Sequence, residues 1–280
     1  MSANALWDFP FHVEYSDNDK WKHPIAYTHF HKIYEIYYLL ENEIMYFIDD
    51  KTYHISEGTF VIVPPYRIHT TRCLNDRVRK RILVYVPEAF VADFLKDEPD
   101  LLKRIEGTPI RIKQSKRKGV EDLLSRLLNE YQKKNGSPVL QKSLLGEFLV
   151  TLWRLSSETS EEVDATRVRK GTGQIQNITN YITSHYYKDI TLDLLAKEFF
   201  LHPSYISRAF KLQLNISFTD FLKSVRIREA SLLLQSSDFS VVQIAEKTGF
   251  DSATSLCRAF KSVMGTTPLK YRKEYKNSDL

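Results

Sequence analysis

Three histidines and one glutamate form the densest group of chemically capable side chains in the sequence. His29, His31 and Glu35 follow the spacing H-x-H-x3-E, and His69 follows in the spacing G-x5-P-x4-H, counted from Gly58 through Pro64. Imidazole and carboxylate ligate transition metals, exchange protons near neutral pH and hydrogen-bond polar ligands. Three histidines and a glutamate suit non-haem iron, manganese or zinc. They equally suit the polar lining of a small-molecule pocket, and histidines also serve as ordinary structural residues.

The elements that carry these residues read as β structure. From Ile25 to Val86, short β-branched and aromatic runs alternate with turn formers: IMYFI, Asp49-Asp50, KTYHI, then FVIVP closed by Pro64-Pro65. Strands this short must close into a sandwich or barrel to bury their faces and edges. The histidine–glutamate spacing resembles the cupin barrel, and that resemblance implies convergence of His29, His31, Glu35 and His69 inside it, on a divalent metal or around an effector. Tyr66 departs from the cupin pattern, which usually has a glycine there, so we expect polar effector contacts ahead of metal. The expected effector pocket comprises His29, His31, Glu35, Tyr37, Tyr66 and His69. Trp7, Phe11, Tyr27, Phe47 and Phe60 would add flat apolar lining suited to a sugar face. An arm from Leu6 to Val13 would close over it.

Helical periodicity takes over later in the chain. Residues 87–105 read as short helical turns broken by Pro99, and RIKQSKRKG reads as a basic connector. Val120, Leu123, Leu124, Leu127, Leu128 and Tyr131 form one stripe, and Leu140, Leu144, Leu145, Phe148, Leu149, Leu152 and Trp153 form another. The turn Asn135-Gly136-Ser137-Pro138 between them predicts an antiparallel helical hairpin. Its apolar face exceeds what one small barrel needs, so Leu127, Leu128, Leu145 and Leu149 are expected at a homodimer interface, with packing inside their own subunit as the plain alternative. Residues 158–173 are polar, with glycines at 171 and 173, and read as a linker.

The last third contains a repeat. RAFK occurs at Arg208–Lys211 and again at Arg258–Lys261, each after a short helix carrying Leu195-Ala196-Lys197-Glu198 or Ile244-Ala245-Glu246-Lys247. A small alanine, a tight turn and a buried Ile206/Phe210 or Leu256/Phe260 pair give helix-turn-helix geometry twice. A pair of helical hairpins in an ordinary all-α domain is the plain alternative, and the duplication argues against it. The intervening segment 218–235 reads as one helix of roughly 27 Å at about 1.5 Å per residue. Such a rod holds two reading helices close to one DNA turn apart, about 34 Å.

Here the chain resembles the AraC family of transcription regulators over about residues 174–275. The resemblance rests on LAKEFFLHPSYISRAFK, FLKSVRIREASLLLQSS and VVQIAEKTGFDSATSLCRAFKSVMGTTPLKYRK. Asn215 and Phe200 depart from it where the family often has glycine. The solvent faces of the second helices offer Ser204, Ser207 and Arg208, then Ala253, Thr254, Cys257 and Arg258, as base contacts. Lys211, Lys261 and Lys270 are expected at phosphates. The resemblance implies an effector-responsive activator, of carbohydrate or other small-metabolite genes, with double-stranded DNA, RNA polymerase and a second copy of the chain as partners.

The expected architecture is therefore α+β and multidomain: a cupin-like antiparallel β-barrel sensor (1–110), a helical dimerisation segment (111–157), the linker (158–173) and an all-α double helix-turn-helix domain (174–280). Composition agrees, at 42% hydrophobic and 27% charged, which excludes disorder as the main state. Residues 173–280 hold 14 Lys+Arg against 10 Asp+Glu, whereas residues 1–172 hold 26 against 25, so the basic excess lies in the repeat region. No run approaches the roughly 18 apolar residues of a membrane span, and the start MSANALWDF lacks a signal-peptide pattern, so a cytoplasmic protein is expected. Cys73 and Cys257 match no zinc or redox spacing. No cofactor is required on this reading. The alternative is an enzyme, a metal-dependent cupin oxygenase or isomerase with an appended helical domain, and the repeat argues against it.

Overall fold

The computed structural model describes residues 11–17, 29–49, 51–74, 79–103, 105–158 and 172–278. The chain forms two compact units, centred on His31–Val168 and on Arg169–Leu280. Trp7, Tyr27, residues 6–10 of the expected arm and residues 159–171 of the expected linker lie outside the described residues.

The first unit contains β1 (His12–Ser16), β2 (Ile33–Glu41), β3 (Glu43–Ile48), β4 (Lys51–Ser56), β5 (Thr59–Val63), β6 (His69–Cys73), β7 (Lys80–Pro87) and β8 (Ile110–Arg111). They form two antiparallel sheets, in the orders β1-β7-β2-β5-β8 and β4-β3-β6. The chain passes between sheets at tight turns. Asn42, at φ +80°, separates β2 from β3, and Gly58, at φ +78°, leads into β5. Both need the left-handed region, which asparagine and glycine tolerate best.

Alternation along β2 sorts its side chains. Ile36 and Tyr38 join Phe60, Ile62, Ile82 and Val84 in a core against the helices α1 (Glu88–Asp97), α2 (Gln114–Gln132) and α3 (Pro138–Glu158). Glu35, Tyr37 and Leu39 take the opposite face.

Four expectations are corrected here. His12 and Val13 of the expected arm belong to strand β1, paired with β7, and Phe11 and Val13 are buried because they pack into the sheet–helix core. Phe11 stacks on Phe90 with ring centroids 5.6 Å apart, and Phe60 faces the helices, so neither lines the opposite face. The basic connector is β8 followed by the first turn of α2. Leu127, Leu145 and Leu149 are buried in this same core and Leu128 is half-buried against it, so the hairpin leucines hold their own subunit together. The β unit needs more apolar cover than its length suggests, because its five-stranded sheet offers a whole face. Each fully buried leucine there stabilises the unit by about 1.5–3 kcal/mol.

The second unit is helical: α4 (Thr172–His185), α5 (Leu192–Glu198), α6 (Pro203–Ala209), α7 (Phe218–Ser236), α8 (Val241–Lys247), α9 (Ala253–Met264) and α10 (Pro268–Ser278). A π turn, Phe210–Leu214, extends α6. Thr191, Ser217, Ser240 and Ser252 cap α5, α7, α8 and α9 by accepting a hydrogen bond from a backbone N–H of the first turn. Val225, Ile227, Ala230 and Leu234 of α7 are buried, which makes α7 the central rod of this unit.

Candidate nucleic-acid interface and buried histidine centre

The two halves of the helical unit match in sequence, with one residue more before the second helix in the second half. Ala196 and Ala245, each two residues before the end of α5 or α8, accept a hydrogen bond at 2.9 Å, from Leu201 N and Phe250 N respectively. The intervening Phe200 and Gly249 are left-handed, at φ +54° and +76°. Gly249 is also sterically required: a Cβ there would lie 2.8 Å from Tyr186 O and 2.9 Å from Tyr187 O. The second helix then runs over residues 203–214 or 253–264, and Asn215 and Gly265 end it in the left-handed conformation. Both sequence departures, Phe200 and Asn215, therefore keep the backbone of the glycine they replace.

Packing fixes which face each second helix presents. Ile206 and Phe210, and Leu256 and Phe260, are buried. Phe210 packs on Phe221 of α7 at 5.5 Å and Phe260 on Tyr271 of α10 at 5.4 Å, edge to face in both cases. The opposite faces carry exposed Ser204 and Arg208 with half-buried Ser207, and exposed Thr254 and Arg258 with half-buried Ala253 and Cys257. Lys211, Lys261 and Lys270 are exposed. Tyr205, also exposed on α6, donates to Gln174 Oε1 at 3.1 Å, a neighbour no local motif indicates.

Other basic residues serve the fold. Arg226 donates to Tyr186 O at 2.9 Å and Lys188 O at 2.8 Å, and Arg272 donates to Leu234 O at 3.3 Å and Phe239 O at 2.5 Å. The basic excess of this unit is thus divided between backbone staples and the exposed faces.

In the β unit, the four ligand atoms offered by His29, His31, Glu35 and His69 lie within 4.8 Å of one another. His31, Glu35 and His69 are buried and His29 is half-buried. His29 and His31 lie just ahead of β2 rather than on it, because the strand begins at Ile33. His31 is set instead by its carbonyl, which accepts Tyr66 N at 2.7 Å. Tyr66 sits at φ +64°, so it keeps the left-handed turn that a glycine would make.

Hydrogen bonding fixes the rings. His31 Nδ1 lies 2.8 Å from Ile33 O and His69 Nδ1 lies 2.8 Å from Arg67 O. A carbonyl accepts only, so each Nδ1 carries the proton and donates. Each Nε2 then faces Glu35 Oε2, at 3.2 Å from His31 and 3.4 Å from His69. Tyr46, which the sequence reading missed, donates its hydroxyl to Glu35 Oε1 at 3.1 Å. Burial works against the Glu35 charge, yet the charge of His69 and the hydrogen bonds of both histidines hold its pKa well below the usual range. Burial also opposes charge on His69, but Glu35 outweighs it and raises that pKa. His31 is lowered, by burial first, against the hydrogen bond of Glu35.

Two helix-turn-helix motifs around a shared rod, joined to an antiparallel β unit with a buried polar centre, define a two-domain DNA-binding transcription regulator. Residues 10–149 match the AraC-like ligand binding domain and residues 195–274 match a helix-turn-helix domain. The chain belongs to the AraC family of transcriptional regulators. It is similar to YfiF, an uncharacterised HTH-type transcriptional regulator of Bacillus subtilis, with 25% identity over 98% of this chain and 87% of that one. The Msm operon regulatory protein of Streptococcus mutans is 25% identical over 45% of this chain and 47% of its own length. Among solved structures, the C-terminal domain of AraT, a response regulator from Geobacillus stearothermophilus, is 33% identical over 38% of this chain and 88% of that one, with a TM-score of 0.37. Among the described residues, no helix is long and apolar enough to cross a membrane.

Proposed function

We propose that the chain is an effector-responsive, sequence-specific DNA-binding regulator. The β unit takes up a small molecule, and its occupancy changes how two reading helices are offered to DNA. The observation that carries this reading is the repeat, because two second helices with the same left-handed end, the same buried Phe and the same exposed Arg-and-Lys face serve no purpose in a single-site enzyme. Ser204, Ser207, Arg208, Ala253, Thr254, Cys257 and Arg258 would meet base edges, and Lys211, Lys261 and Lys270 phosphates. Response requires the effector to prefer one arrangement over another. The test is the affinity of the full chain for a duplex enriched from a random pool, with and without metabolite mixtures. A metabolite-dependent change in affinity supports the reading, and an affinity that no mixture alters contradicts it.

A second reading, that the β unit holds a metal, is favoured by the ring orientations. With both Nδ1 protons donated to backbone carbonyls, two imidazole lone pairs converge on one carboxylate oxygen in a buried space. A proton on His69 or a divalent metal would bridge the two Nε2 atoms and the carboxylate oxygen they face. The donor set fits iron, manganese or zinc, and carbonyl-anchored rings are the usual outer support of metal-binding histidines. His31, Glu35 and His69, with His29, would hold the ion, and Tyr46 would orient the carboxylate. When bound, the ion would offer a Lewis-acidic anchor for an oxygen of the effector.

A further inference from the structure

The inner face of the β unit carries a half-buried cation that neither the reading helices nor the histidine centre uses. Arg81 of β7 pairs across the sheet with Leu39, Leu83 with Tyr37 and Tyr85 with Glu35. Directly opposed residues share a face, so Arg81 points to the same side as Tyr37 and Glu35. The side chains form a continuous line. Arg81 Cζ lies 5.7 Å from the centre of the Tyr37 ring, Tyr37 meets Tyr46 edge to face at 5.2 Å, and Tyr46 stacks on His69 at 6.5 Å.

Two polar atoms on this line are left over. Tyr37 Oη and Arg81 Nε are buried with no hydrogen-bond partner. Tyr37 is wholly buried and Arg81 half-buried; the guanidinium interacts with the ring and weakly with the hydroxyl, short of a hydrogen bond of normal length. Among the described residues, no carboxylate forms an ion pair with Arg81. Glu35, the acid on the same face, is engaged by His31, His69 and Tyr46. A guanidinium with its Nε out of water and no counterion is costly, and the cost is recovered where an anion completes it. Its planar fork matches a carboxylate, and a phenol hydroxyl beside it adds a third donor. One cation and one neutral donor balance a single negative charge, and the Glu35 carboxylate further along the line disfavours a phosphate dianion.

We propose that the interior of the β unit binds a carboxylate-bearing small molecule, with the carboxylate received by Arg81 and Tyr37. This rests on the effector-responsive reading and assigns its ligand class.

The test uses the full chain, followed by thermal unfolding at constant ionic strength. The probes are linear and aromatic mono- and dicarboxylates of two to ten carbons, their neutral amides, and inorganic phosphate. The expected result is a saturable rise in Tm with at least one carboxylate and none with its amide. Tyr37→Phe removes a hydroxyl whose polar neighbour is Arg81, so the variant should still fold yet bind that carboxylate about tenfold more weakly or worse. Arg81→Gln should abolish the shift. No shift with any carboxylate, an equal shift with the amide, a shift with phosphate alone, or full binding by Tyr37→Phe would each overturn the proposal. DNA affinity, measured in the same samples, separates the two readings. A carboxylate that binds but leaves DNA affinity unchanged upholds the site and contradicts effector response; DNA affinity altered only by neutral compounds does the reverse.

Discussion

Phe200 and Gly249 occupy the same position in the two helix-turn-helix motifs and the same left-handed backbone, and only one of them is a glycine. The Phe200 side chain is 95% exposed, so it gains no packing for the strain it carries. A left-handed non-glycine residue costs about 1–2 kcal/mol, part of which glycine gives back through its looser unfolded chain. Phe200→Gly should therefore raise stability by about 0.5–1 kcal/mol. Gly249→Ala should lower it by more than about 1 kcal/mol, because its Cβ would also meet the Tyr186 and Tyr187 carbonyls. Urea unfolding of the full chain checks both, and equal effects of opposite location would contradict the assignment of the turns.

Arg208 and Arg258 stand on the exposed faces of α6 and α9. Arg208→Ala and Arg258→Ala should each relax sequence preference by about 1–3 kcal/mol at separate base positions. Lys261→Ala should weaken all sequences alike and flatten the salt dependence by about one counterion. Titrations against matched and mismatched duplexes distinguish these outcomes. Variants that keep the wild-type preference would remove the arginines from the interface.

Leu145 is fully buried in its own subunit. Leu145→Ala should cost about 2–5 kcal/mol of stability through the cavity it leaves. Its oligomeric state, read by sedimentation, should match that of the wild type. A stable, correctly folded variant that changes only its association would restore the interface reading.

How much of this was legible in the sequence varies with the range of the interaction. The caps, the repeat, the hairpin 114–158 and the strands between Ile33 and Pro87 are local patterns, and the sequence shows them. The convergence of His31 and Glu35 with His69 was also readable, through the resemblance of their spacing to the cupin barrel. The partner of an apolar face was not: Leu127 and Leu149 look surplus until the five-stranded sheet is seen to need covering. Arg81 and Tyr46 were missed because their roles depend on long-range pairing, which no run of residues announces. Once β2 and β7 are paired, alternation finds Arg81, whereas Tyr46 lies on β3 of the other sheet and is found only when the two sheets are brought together.

The histidine centre gives a prediction about metal and pH. If the centre holds a metal, the chain purified without a histidine tag should carry close to one transition metal, and His31→Ala should lose it, because few ligands share the binding energy. Metal must displace the proton that Glu35 favours on His69, so affinity should fall as the pH drops through the raised His69 pKa. Elemental analysis and a competitive chelator titration between neutral and acid pH check this. Metal-free protein, or affinity independent of pH, would leave a proton as the bridging cation.

The central claim is that α6 and α9, held on the rod α7, read two segments of one duplex. The rod has 19 residues and spans about 28 Å. Selection of duplexes by the full chain from a random pool, followed by sequencing, tests this most directly. The account predicts two conserved base clusters about 10 base pairs apart, one lost with Arg208→Ala and the other with Arg258→Ala. A single cluster erased by either substitution, or a bound pool with no sequence preference, would contradict it.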